Sequence, residues 1–155
     1  MSFRITGLSP EPFRHLYGLP DAQLAEHGVR RVAVDRAPGY PDRIEVRDAA
    51  AGESVLLVNY THQPADTPFR SSYAIYVREG AQAAYDAVDE IPDAMRRRMI
   101  SLRAFDEEGM LIDADLADGS AIEPLIARML ADPKAAYLHA HYAKPGCYAA
   151  RIDRA

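Results

Sequence analysis

From Ser54 to His62 the chain reads SVLLVNYTH, apolar on both faces of an extended strand until Asn59. Leu56, Val58 and Tyr60 would point one way and Val55 and Leu57 the other, so a strand here needs cover on both sides. That requirement places it centrally in a sheet and predicts a core around it. At 155 residues, 48% of them hydrophobic, the chain has enough apolar material for one such core without disulfides or structural metal. No repeat, low-complexity tract or Gly/Ser linker interrupts it, and its 11 prolines are scattered between short elements. A single domain over residues 1–155 is therefore expected.

Around this strand the hydrophobic period alternates between two and about 3.6 residues. Residues 9–28 read as one or two short helices, with Gly28 as a stop. RRVAVDR is extended, and RIEVRDA and SVLLVNYTH flank the turn-like AAGE as an expected hairpin. SYAIYVRE is the next strand. QAAYDAVDE and PDAMRRRM read as a helical connection with Pro92 at a first helical position. SLRAFD and MLIDADL form a second expected hairpin around EEGM. Ser120 and Glu123 have capping-box spacing ahead of a helix whose stripe is Ile122, Leu125, Ile126, Met129 and Leu130. The chain closes with AAYLHAHY and CYAARIDR, a third hairpin in which Pro145-Gly146 suits a type II turn. About seven or eight strands and three or four helices follow. The fold class is α+β, a mainly antiparallel sheet of hairpins packed against a few helices.

Charge and cysteine content narrow the function classes. A net charge of -5 supplies no basic face for nucleic acid, and Arg96-Arg97-Arg98 is short enough to be a solvated helix face. Cys147 is the single cysteine and cannot close an intramolecular disulfide, which makes the cytoplasm the expected compartment. The start, MSFRITGLSPEPF, lacks the apolar core of an export signal, and no stretch approaches the ~20 apolar residues of a membrane span. No nucleic-acid or membrane partner is expected.

Two groups of residues could carry chemistry. His139, His141 and Cys147 lie in the last hairpin, where positions i and i+2 share a face. With His62 as a further ligand they could hold a zinc-like ion, or Cys147 could act as a nucleophile beside an imidazole. Hairpin register decides the second case: if Tyr142 pairs with Cys147, the sulfur faces away from His141. The second group joins Tyr40 and Arg43 to Tyr60 and His62, and to Arg70, Ser71 and Ser72, where arginine and hydroxyls could hold a small carboxylate or phosphate. Against both stands a purely structural role, and for Asp106, Asp113 and Asp115 a solvated turn. No G-x-G-x-x-G, G-K-[ST], G-x-S-x-G, C-x-x-C or H-E-x-x-H spacing is present. The leading expectation is a small-molecule binding domain for an anionic ligand. The alternative is a hydrolase or transferase built on His139, His141 and Cys147. No cofactor is specified, and neither metal nor oligomeric state follows from these residues.

The segments APGYPDRIEVRDAAAGESVLLVNYTH, FRSSYAIYVRE, SLRAFD and AYLHAHYAKPGCYAARIDRA occur in this order. Together they resemble the bacterial domain of unknown function family 1203, with the resemblance running from Phe3 to Ala155. It implies a small single-domain bacterial protein and brings no activity, cofactor or catalytic residue with it.

Overall fold

In the computed structural model, which describes residues 2–155, the elements in chain order are β1 (Phe3–Thr6), α1 (Asp21–Glu26), β2 (Arg30–Ala33), β3 (Pro41–Asp42) and β4 (Arg47–Asp48). There follow β5 (Ser54–Gln63), β6 (Ser71–Arg78), β7 (Asp86–Val88), α2 (Asp93–Arg96) and β8 (Met99–Phe105). The last are β9 (Leu111–Asp118), α3 (Glu123–Ala131), β10 (Tyr137–Tyr142) and β11 (Tyr148–Arg154). The strands divide into two sheets, where one was expected. A six-stranded sheet runs β7-β1-β11-β10-β8-β9, and a five-stranded sheet runs β2-β5-β6-β3-β4. Every pairing is antiparallel except that of β3 with β6. The α+β class holds, with strands outweighing three short helices.

β5 lies between β2 and β6, as its two apolar faces require. Leu56 and Val58 pack with Phe13, Leu16, Leu24 and Val29 from the amino-terminal segment, with Tyr60 against them. The second core belongs to the six-stranded sheet, where Ile122 at the N-cap of α3 and Ile126, Met129 and Leu130 within it pack against Leu102, Leu138 and Ile152.

Three local expectations change. RIEVRDA does not pair with β5, because Asp42 winds it into a turn. Its buried carboxylate accepts the backbone N–H groups of Ile44 (3.1 Å), Glu45 (2.7 Å) and Arg78 (2.7 Å). QAAYDAVDE supplies a strand and not a helix, since β1 leaves an edge that β7 fills and Arg4 clasps Asp86 there. The capping box at Ser120 is also replaced. Asp118 accepts the Ser120 N–H at 2.9 Å, while Glu123 turns to Arg96 at 2.7 Å. The β8–β9 and β10–β11 hairpins form as the pattern predicts.

Candidate anion-binding cavity between the sheets

The β10–β11 ribbon sorts its side chains by register. Gly146, at φ +80°, closes the turn by donating to the Tyr142 carbonyl at 2.8 Å, and Tyr142 donates to the Cys147 carbonyl at 2.9 Å. His141 stands opposite Tyr148, with a bulge on its Ala140 side. Cys147 therefore shares a face with Tyr142, and His139 and His141 project from the other face. The three residues expected to converge are split between two environments.

On the histidine face, the ring of His62 from β5 stands 5.0 Å from His141 and 6.4 Å from His139, centroid to centroid. The Tyr148 ring stacks on His62 at 5.7 Å and meets His139 edge-on at 5.1 Å. His141 Nδ1 bonds the Gly146 carbonyl at 2.9 Å. Nδ1 of His62, Nδ1 of His139 and Nε2 of His141 have no hydrogen-bond partner. Burial pushes His139 down to about 3 and His141 to about 4, and lowers His62 too, so these rings are neutral near pH 7. Among the described residues, no group of three or more His, Cys, Asp or Glu side chains is disposed to hold a metal ion.

On the other face, Arg43 crosses from the five-stranded sheet with only 1% of its surface exposed. Its Nε donates to the Tyr148 carbonyl at 2.7 Å, Nη1 to the Pro41 carbonyl, and Nη2 to Cys147 Sγ at 2.8 Å. No carboxylate pairs with it among the described residues. The Tyr142 ring lies 5.0 Å from the Arg43 guanidinium and 5.1 Å from that of Arg98. Arg98 is fixed by Asp48, with Nη2 to Oδ1 at 2.6 Å and Nη1 to Oδ2 at 3.0 Å, and Arg97 reaches Oδ2 at 3.1 Å. Burial pushes the Asp48 carboxyl up, but the hydrogen bonds and charge of Arg98 outweigh this and hold it below the usual carboxylate range. The basic run of 96–98 is thus a set of ion pairs, with Arg96 held by Glu123; Arg97 is exposed, while Arg96 and Arg98 are half-buried.

Where the two sheets meet, these residues border a cavity of about 700 Å³. Its charged lining is Arg43, Arg97, Arg98 and Lys144 against Asp118, and its apolar walls include Leu57, Ile75, Met99 and Pro145. Even with Asp48 set against the arginines, the balance of charge is positive. A volume of this size suits a small organic molecule.

Of the residues expected to bind an anion, only Arg43 lines this cavity. Tyr40 bonds Asp35 at 2.9 Å, Tyr60 packs on Phe13 and Tyr148, and His62 joins the histidine face. Arg70 is exposed and bonds the Pro64 carbonyl, the Ser71 hydroxyl donates to Phe69 O at 2.7 Å, and Ser72 faces outward. The seven share the stretch 40–72, but the strands carry them to different faces. Sequence reasoning missed Asp48, Arg97, Arg98, Tyr142 and Lys144. The Arg-Arg-Arg run was their one visible signal, and its partner Asp48 lies about fifty residues away.

Fold and cavity together define an α+β protein of two sheets with a basic-lined hollow at their junction. The family model described as Protein of unknown function (DUF1203) matches residues 39–154, and the chain belongs to that family. No curated protein and no solved structure matches the chain. Among the described residues, no helix is long and apolar enough to cross a membrane.

Proposed function

We propose that the protein is a binding domain for a small anionic molecule, which it holds in the cavity between its sheets. One observation carries the reading: Arg43 is buried at the cavity with no carboxylate beside it, and its fork has N–H groups left over. A buried guanidinium is costly unless charge is returned to it, and a bound anion supplies that charge. Arg97, with a single N–H committed to Asp48, and Lys144 at the exposed lip add donors a ligand can reach.

A thermal-shift and calorimetric screen of carboxylates and phosphate esters tests this. An anion should raise the melting temperature and bind more weakly as salt is added. Arg97→Met and Lys144→Met should each weaken binding about tenfold, roughly 1.4 kcal/mol. If no anion shifts the melting temperature, or if both variants bind as the parent does, the reading fails.

A further inference from the structure

Resting on that reading, we infer that the ligand is a short extended peptide with an anionic group, which adds as a strand to the open edge of β6 at the cavity. In β6 the Tyr76 carbonyl accepts the Arg43 N–H at 3.1 Å, and the Arg78 N–H reaches Asp42 Oδ1 at 2.7 Å. Even-numbered residues of β6 therefore turn their main-chain groups away from β5 and toward β3. Ala74 turns the same way, yet β3 pairs with β6 at Asp42–Tyr76 alone. The next donor along this ladder, two residues before Arg43, would be Pro41, which has no N–H, and the pairing stops there. Among the described residues, nothing bonds the N–H or C=O of Ala74 on that side.

The cavity follows this edge. Leu57 stands opposite Tyr76 in the β5–β6 ladder, so both side chains leave one face of the sheet together with that of Ala74, while Tyr73 and Ile75 leave the other. Residues of both faces line the cavity, as they do where a hollow runs along a strand edge. Ala74 is half-buried and Tyr73 is 51% exposed, so a ligand can approach from solvent. An unpaired edge takes up an extended chain through main-chain hydrogen bonds, and the side chains of that chain alternate between the two faces. Here they would meet Leu57 and Tyr76 on one face and Tyr73 and Ile75 on the other. The sign of the partner follows from what lies beside the edge: Arg43, Arg97 and Lys144 line the same cavity, and the Lys144 N–H has no partner. These donors suit a carboxylate and a phosphate alike. The cations thus set the charge of the ligand, and β6 sets its extended backbone.

Isothermal titration of the full chain with acetylated Val-Thr-Val-X peptides tests the inference. X is glutamate amide, phosphoserine amide, glutamine with a free C-terminal carboxylate, or neutral glutamine amide, so the arms separate the sources of the anion. The anions 3-phenylpropionate and phenyl phosphate serve as ligands without a peptide backbone. At least one anionic peptide should bind about tenfold more tightly than the neutral peptide and than either simple anion. Methylating the nitrogens of that peptide one at a time should cost about tenfold at alternate positions and little at those between. Ala74→Pro keeps the ladder to β5 and should weaken the peptide several-fold; if this variant fails to fold, the methylation series decides. If a simple anion or the neutral peptide binds as tightly as the best anionic peptide, or if methylation shows no alternation, the inference is wrong, and the simple anions judge the anion reading separately. Sedimentation of the free protein as a dimer that Ala74→Pro breaks would give the edge to a second copy and overturn it too. Should no anion bind, with or without a peptide backbone, both fall.

Discussion

Arg43 donates to the sulfur of Cys147 across the junction of the two sheets, at 2.8 Å, and the same guanidinium holds the Tyr148 carbonyl at 2.7 Å. One side chain thus joins the end of β3 to the turn that carries β11. Removing it leaves two buried carbonyls, Tyr148 and Pro41, without their donor. Arg43→Met should cost about 2–4 kcal/mol in urea unfolding. Arg43→Lys should recover little, because one ammonium cannot reproduce the fork. Cys147→Ser keeps an acceptor and should cost under about 1.5 kcal/mol. Were Arg43→Lys as stable as the parent, the clasp would not be the source of the effect.

The histidine face makes stability depend on pH. Burial holds His139 at about 3 and His141 at about 4, against 6.5 for an exposed ring, so within that range the unfolded chain takes up protons that the folded chain does not. Stability is therefore full above pH 6.5 and falls as acid is added toward pH 4. Urea midpoints measured from about pH 7.5 to about pH 4.5 should fall by a few kcal/mol in stability, and His139→Phe should flatten part of the slope. A parent whose stability is level across this range would contradict the neutral, buried state of the rings.

The difference between what the sequence makes legible and what it hides is one of range. β5, the β8–β9 and β10–β11 hairpins and the stripe of α3 follow from periods within ten or so residues, and the structure builds them. The Tyr142–Cys147 pairing was one of two registers that the turn allowed, and the bonds from Tyr142 N–H to the Cys147 carbonyl and from Gly146 N–H to the Tyr142 carbonyl hold it. Asp42 could not be read as a turn centre, because one of its three donors is Arg78, far along the chain. The cavity was hidden for the same reason. Arg43 and Asp48 share the 43–49 segment, but Arg98 and Tyr142 come from two others, brought together by sheet pairings that no local pattern encodes.

Gly119 joins β9 to the start of α3 at a point where no side chain fits. A Cβ there would lie 1.7 Å from the Met95 carbonyl oxygen and 2.8 Å from that of Arg98, both main-chain atoms. Its N–H donates to Arg98 O at 2.8 Å, so the approach is part of how the 95–98 segment is held. Gly119→Ala must push that segment away and should cost more than about 3 kcal/mol, with a weaker anion response because Arg97 and Arg98 move with it. A fully stable Gly119→Ala protein would show that the segment can shift freely, and that the arginines are not rigidly placed.

Asp48 separates the stability of the cavity from its affinity. Its side chain is 4% exposed and neutralises Arg98 and Arg97 directly behind the cavity. Asp48→Asn keeps the size and some hydrogen bonding but withdraws the negative charge. The guanidiniums are then less compensated, and the protein should lose about 2–4 kcal/mol at pH 7. The cavity meanwhile becomes more positive, so an anion that binds there should bind several-fold more tightly, most of all at low salt. Calorimetry on the folded variant, paired with its unfolding curve, reads the two effects independently. Lower stability with tighter binding is expected only if the anion sits against these arginines; a loss of both would place the ligand elsewhere or show that the arginines need Asp48 to keep their positions.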